Sequence, residues 1–248
     1  MSGTSRLRWL ASHLIACLLL AGCSGSSNAT PSPLAGSKID SANKEPVRQS
    51  EECAPEANPL ALVMPAMVRI TTPPDAKGAY ASGTGVVIDQ GWVLTNQHVV
   101  DSAGDALVKL FYADGHQSPG KVVASDADLD LALVQANTGD LRAVVWGDEA
   151  HLQQGAPLFA VGYAFGNPNP MVSSGRYVTT IVDRPTGQAF IESDLRLEHG
   201  DSGGPLLNRC GQVIGVNTAR ISGTSGQTAG LSIPGFGARR WANRNRPQ

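Results

Sequence analysis

Gly200-Asp201-Ser202-Gly203-Gly204 sets a serine hydroxyl in a tight glycine turn, where a backbone can expose the oxygen and aim its own N–H groups at one point. Glycine makes up only about 7% of residues in proteins, so chance produces such a run in about one chain per thousand or fewer. A serine hydroxyl is a weak nucleophile near neutral pH, and a base must take its proton; imidazole has the matching pKa. His98 ends a strand-like run in Val93-Leu94-Thr95-Asn96-Gln97-His98-Val99-Val100, whereas His13 lies in the leader and His116 and His151 sit in polar, loop-like surroundings. A carboxylate must then hold the imidazole tautomer and stabilise its protonated form. Asp126, Asp128 and Asp130 alternate ahead of Leu131-Ala132-Leu133-Val134, and in an extended chain all three share a face. Spacing does not choose among them, although Asp130 abuts the apolar run. The bland alternatives are a hairpin serine and a lone surface histidine, and the coincidence of three motifs outweighs them.

The elements that would hold these groups are short. The chain has 28 glycines and 16 prolines in 248 residues, with 42% hydrophobic and 16% charged residues, a globular composition with many turns. Twelve β-prone runs recur from Met67–Thr71 to Ala229–Ile233, among them Gly85–Ile88, Trp92–Thr95, Ala106–Tyr112, Lys121–Ala124, Leu131–Gln135, Pro157–Gly162, Gly175–Val182 and Gln212–Asn217. Helix-like pattern is confined to a turn after His98 and to Ala238–Asn245, without the strand and helix alternation of a βαβ fold. The expected class is all-β, two antiparallel six-stranded β-barrels with a short C-terminal helix, and the folded domain occupies residues 59–248.

Three blocks carry a family resemblance. Ser82-Gly83-Thr84-Gly85-Val86-Val87-Ile88 with Thr95-Asn96-Gln97-His98-Val99-Val100, then Asp130-Leu131-Ala132-Leu133, then Gly200-Asp201-Ser202-Gly203-Gly204 resemble the HtrA branch of the trypsin-like proteases. Val213–Ala219, Gly230–Pro234, Val161-Gly162-Tyr163 and Gly166-Asn167-Pro168 agree with it, so the likeness runs in order from about Leu60 to Pro234. The resemblance implies a chymotrypsin-like double barrel and a serine endopeptidase without cofactor or metal, in which His98, Asp130 and Ser202 form the triad. It also implies an oxyanion hole made by the N–H groups of Gly200 and Ser202, and a protein or peptide substrate. Too few residues follow Pro234 for the PDZ domain many HtrA proteins carry, and a monomer is the simplest expectation. Asp201 stands where digestive relatives pair an aspartate with a new N-terminal amine; no activation sequence is visible, so the site is expected to assemble constitutively, with Arg196 a candidate partner by proximity. Six residues before Ser202, Arg196 also falls at the base of the primary pocket, to which Thr218 and Arg220 are assigned with it. The resemblance favours a small aliphatic residue at the cleaved position, whereas Arg196 would favour an acidic one; small aliphatic is the expectation.

Residues 1–22 read as a signal peptide, with Arg6 and Arg8 before the apolar Leu14–Leu20, a stretch too short to span a bilayer as a settled helix. Leu20-Ala21-Gly22-Cys23 resembles a bacterial lipobox, which makes Cys23 a lipidated N-terminus, anchored to a membrane of the cell envelope. The alternatives are a plain secretory signal and an uncleaved anchor. Residues 23–58 are rich in Ser, Pro, Ala, Asn and charge without an apolar period, a flexible tether. With Cys17 removed and Cys23 acylated, Cys53 and Cys210 are left to pair in an oxidising compartment. Loss of the leader moves the formal charge from −2 to −4, and such a chain lacks the concentrated basic surface that nucleic acid requires. Two other classes stay open: an inactive trypsin-fold binding module, and a surface lipoprotein whose basic tail, Arg239, Arg240, Arg244 and Arg246 around Trp241, docks on anionic lipid or cell wall. For that tail, packing of the helix on the barrel with its arginines solvated is the simpler reading.

Overall fold

The computed structural model describes residues 58–222 and 228–247. Residues 1–22, read above as a leader, and Cys23 and Cys53 lie outside the described residues. Twelve strands form two closed antiparallel barrels of six strands each, joined in sequence and followed by one terminal helix. The first barrel orders β1 (Met67–Thr71), β2 (Ser82–Asp89), β3 (Trp92–Thr95), β6 (Leu131–Ala136), β5 (Gln117–Asp126) and β4 (Val108–Tyr112) around its wall. The second orders β10 (Pro205–Leu207), β11 (Val213–Ser222), β12 (Thr228–Pro234), β9 (Ala189–Ser193), β8 (Met171–Val182) and β7 (Pro157–Gly162). The expected all-β double barrel with a C-terminal helix is the fold the chain adopts.

Closure leaves neither sheet an unpaired edge strand, and burial follows position on the wall. β4 alternates buried and exposed residues, as a strand with one wet face should. Gly83 to Ile88 of β2 and Leu131 to Val134 of β6 are buried continuously, because their outer faces join a single apolar cluster with Val161, Tyr163, Leu207, Val213 and Trp241. A second cluster, with Leu158, Ile191, Leu206 and Ile214, fills the other barrel. Helix α3 (Gly235–Arg244) lays Ala238, Trp241 and Ala242 against the larger cluster. Among the described residues, the buried apolar side chains run from Val63 to Ala242.

The differences from the sequence expectation have local causes. β5 runs through Pro119 and Gly120, which the sequence reads as a break, because Pro119 pairs with Lys109 at a position where its missing N–H is tolerated. β8 starts at Met171 rather than Gly175, extended by pairing to β7 through Gly162. Helices α1 (Pro59–Val63) and α2 (Gln97–Val100) are single turns; the first is started by the Asn58 side chain, which accepts from Leu60 N–H at 3.1 Å.

The barrels are joined at Thr84. Fully buried on β2, its hydroxyl donates to the Gly200 carbonyl at 2.6 Å and accepts from the Tyr163 N–H at 2.9 Å, while its own N–H donates to the Ser202 carbonyl at 2.8 Å. Thr84→Val keeps the shape but strands a buried carbonyl and a buried N–H, and should cost about 1–3 kcal/mol. Urea unfolding checks this: Thr84→Ser should stay near wild type, and a Thr84→Val variant as stable as wild type would show that the hydroxyl does not join the barrels.

Candidate active site

His98, Asp130 and Ser202 are positioned by different elements. β3 ends at Thr95, whose hydroxyl donates to the Thr84 carbonyl at 2.6 Å, and the chain turns through Asn96 into α2, which carries His98. The three aspartates do not share a strand face. β5 ends at Asp126, whose carboxylate accepts the N–H groups of Asp128 (3.1 Å) and Leu129 (3.0 Å) and so shapes a turn. Asp128 is exposed. Asp130 leaves that turn with φ +52°, in the left-handed region that aspartate tolerates better than most residues, and Asn96 Nδ2 donates to its carbonyl at 2.8 Å.

The resulting contact is with His98. Its Nδ1 lies 2.9 Å from each Asp130 carboxylate oxygen, and its backbone N–H donates to Oδ1 at 3.1 Å. A carboxylate there holds the proton on Nδ1 and leaves Nε2 free to accept. A third group completes the carboxylate's coordination: the Thr218 hydroxyl donates to Asp130 Oδ2. Thr218 can do this because β11 bulges, with Asn217 opposite Ser232 and Ala219 opposite Leu231, so that Thr218 has no partner across the ladder. Its carbonyl accepts the Ser202 hydroxyl at 3.3 Å. Thr218 thus touches both the carboxylate and the serine, a role its assignment to the substrate pocket did not foresee.

The serine turn is tightly held. Gly200 has φ +101° and Gly203 φ +82°; a Cβ at Gly200 would lie 2.3 Å from the Tyr163 carbonyl. The His199 carbonyl accepts the Phe165 N–H at 2.5 Å, and the Asp201 carbonyl accepts the Gly204 N–H at 3.0 Å. In trans peptides the N–H points opposite its C=O, which turns the N–H groups of Gly200 and Ser202 away from those partners; neither donates to a protein group among the described residues. Phe165, 69% exposed, itself takes φ +55°.

Two expectations about Arg196 are corrected. Asp201 is buried, and its carboxylate accepts the Glu198 N–H at 2.9 Å rather than pairing with Arg196. Burial raises its pKa, partly offset by that hydrogen bond and increased by the nearby Glu198 charge. Arg196 is not the floor of a pocket: its side chain is 80% exposed and its Nε donates to Glu198 at 2.6 Å. Arg220 donates to the other Glu198 oxygen at 3.0 Å, and the Arg196 guanidinium holds the Glu198 carboxyl below its usual range. Six residues back from Ser202 is a solvent position here because Leu195 and Leu197 on either side take the buried places. Sequence reasoning passed over Thr84, Asn96 and Glu198; the first two stand inside motifs quoted for their neighbours, and Glu198 carried no signal.

Residues 83–216 match the model of the trypsin-like peptidase domain. Among curated relatives, a probable periplasmic serine endoprotease, DegP-like, of Chlamydia trachomatis is 39% identical over 165 residues, 64% of this chain and 32% of that one. The periplasmic serine endoprotease DegP of Salmonella typhimurium is 35% identical over 167 residues, 62% of this chain and 33% of that one. The chain therefore spans about a third of the length of the curated relatives it matches. Among solved structures, HtrA-type protease AlgW with tripeptide superposes with a TM-score of 0.66 at 29% identity, covering 73% of this chain and 60% of that one. With more than half of its length matched by the family model and both barrels in place, the chain belongs to the trypsin-like peptidase family, and the relatives and solved structure it is similar to are of the DegP and HtrA type.

Proposed function

We propose that the chain is an endopeptidase that cleaves extracytoplasmic proteins through an acyl-enzyme on Ser202. The observation that carries this reading is the bifurcated contact of His98 Nδ1 with both Asp130 oxygens at 2.9 Å, closed by Thr218, which also holds the Ser202 hydroxyl. In the proposed cycle Ser202 Oγ swings from the Thr218 carbonyl to His98 Nε2 and attacks the scissile carbonyl carbon as its proton passes to Nε2. Asp130 stabilises the imidazolium and keeps its tautomer. The N–H groups of Gly200 and Ser202 receive the oxyanion. His98 then protonates the leaving amine as the C–N bond breaks, and water, deprotonated by the same imidazole, releases the acyl group.

A small aliphatic residue at the cleaved position fits the engagement of Arg196 and Arg220 by Glu198, which leaves neither guanidinium free to reward an acidic side chain. The hydrogen bond from Glu198 N–H to Asp201 supports a site that assembles without a new N-terminal amine. The relatives named periplasmic, with the lipobox-like Leu20–Cys23, support a place in the cell envelope with Cys23 as lipid anchor. A Cys53–Cys210 disulfide completes the reading.

Asp130→Asn should fold normally yet lower kcat on the order of 10⁴-fold, the loss this substitution produces in the Ser-His-Asp template, whereas Asp128→Asn should stay near wild type. Ser202→Ala should retain at most the residual rate of binding and oxyanion donors. Mass spectrometry of a digested peptide library reads activity and cleavage preference together; equal losses at Asp128 and Asp130 would overturn the carboxylate assignment, and full activity in Ser202→Ala would end the mechanism.

A raised Asp201 pKa means the native state holds that proton more tightly than the unfolded chain does. Its contribution to stability is therefore present below the ordinary value of 3.8 and is lost as pH rises through the raised native value. Melting temperatures of Asp201→Asn, which can still accept from Glu198, should gain on wild type across that window and keep the gain at neutral pH. Parallel pH profiles for the two proteins would contradict a buried, proton-retaining Asp201. For the disulfide, alkylation of unfolded but unreduced protein should label neither Cys53 nor Cys210; labelling of both would refute the bridge.

A further inference from the structure

The C-terminal helix has two unlike faces. Ala238, Trp241 and Ala242 are buried on the barrel, and Phe236, Arg239, Arg240, Asn243 and Arg244 are exposed. Those five recur at i, i+3, i+4, i+7 and i+8, so they form one continuous stripe. Neither the helix nor the residues after it contain an acidic side chain, and among the described residues Arg196, Arg220 and Arg246 form ion pairs whereas Arg239, Arg240 and Arg244 form none. Three cations without ion-pair partners on one stripe are notable in a chain of formal charge −2. At the start of the stripe Phe236 is 71% exposed.

A recess of about 440 Å³ flanks the stripe, lined by Arg239, Asn243 and Arg246 with Trp146 and Asp89. Two carboxylates adjoin this region, each accepting a hydrogen bond. Asp89 accepts from Arg246 Nη1 at 2.6 Å, and Glu149 accepts the Phe236 N–H at 2.8 Å. Arg246 Nε is buried and has no hydrogen-bond partner among the described residues.

We propose that this face of α3 docks on an anionic phospholipid surface, with phosphate headgroups against Arg239, Arg240, Arg244 and the Arg246 recess, and the Phe236 ring at the acyl boundary. Guanidinium suits phosphate through its planar fork of donors, and a basic helix face with one aromatic is the composition of interfacial docking. A soluble polypeptide partner would meet a narrow, almost wholly cationic stripe with one apolar side chain, whereas a charged bilayer complements it along its whole length. The proposal does not depend on catalysis at Ser202 or on acylation at Cys23.

The test uses the chain from Ser24 onward, which keeps every residue of both barrels and lacks the lipidation site, in co-sedimentation with vesicles of phosphatidylcholine alone or mixed with phosphatidylglycerol. Wild type should bind the mixed vesicles, lose binding as salt rises, and bind neutral vesicles weakly. Arg239→Gln, Arg240→Gln and Arg244→Gln together should lower the partition coefficient on the order of a hundredfold, from the attraction of each cation to an anionic surface, while lysine at the same three positions retains binding. Phe236→Ser should weaken binding further in either background. Equal binding with and without phosphatidylglycerol, a triple glutamine variant that binds like wild type, or a lysine variant that loses as much as the glutamine one would overturn the proposal.

Discussion

The hydroxyl of Thr84 is the constraint on which the rest of the site depends. Two closed barrels have no strand in common, so their relative placement must come from the seam between them. At that seam the apolar cluster supplies attraction without direction, and Thr84 supplies direction. Its hydrogen bonds to Gly200, Tyr163 and Ser202 tie β2 of the first barrel to the serine turn and to the end of β7 in the second. His98 and Asp130 ride on the first barrel and Ser202 on the second, so the seam also sets how the three stand relative to one another. Each bond at Thr84 is buried, where an unmade partner costs more than a made one gains, and this asymmetry makes the alignment stiff.

Irregular backbone is concentrated where the chemistry converges. Of the two non-glycine residues of positive φ among those described, Asp130 lies against His98 and Phe165 donates its N–H to His199 beside the serine turn. Asp130 is held in its conformation by Asn96 and by the turn that Asp126 organises, and the strained backbone aims its carboxylate back at His98. The bulge at Thr218 acts in the same sense on the opposite barrel, freeing one residue from the ladder so that its carbonyl and hydroxyl face two different functional groups. In each case a few residues leave regular geometry and the surrounding barrel over-determines them.

The terminal helix divides its work by face. Trp241 anchors it on the larger apolar cluster, and the same helical period that buries Trp241 sets the arginine stripe on the far side. The basic tail and the packed helix, which look like competing readings in the sequence, are thus compatible in one element.

Alternating apolar runs, turn residues and the glycine-flanked serine determined the class of fold, the number of strands and the identity of the candidate nucleophile and base, because those properties are written in local period and local turn chemistry. The choice among Asp126, Asp128 and Asp130 was not local. An extended chain would place all three on one face, and only the turn after β5, the left-handed Asp130 and the approach of α2 separate them. Arg196 was misread for the same reason: a count along the chain gives its distance from Ser202, but which neighbours take the buried places depends on Leu195, Leu197 and a Glu198 carboxylate shared with Arg220 of β11. Thr84 and Thr218 carry only a hydroxyl and a strand propensity in sequence, and they become decisive because closure of two barrels brings residues more than a hundred positions apart, and 88 positions apart, within hydrogen-bond reach.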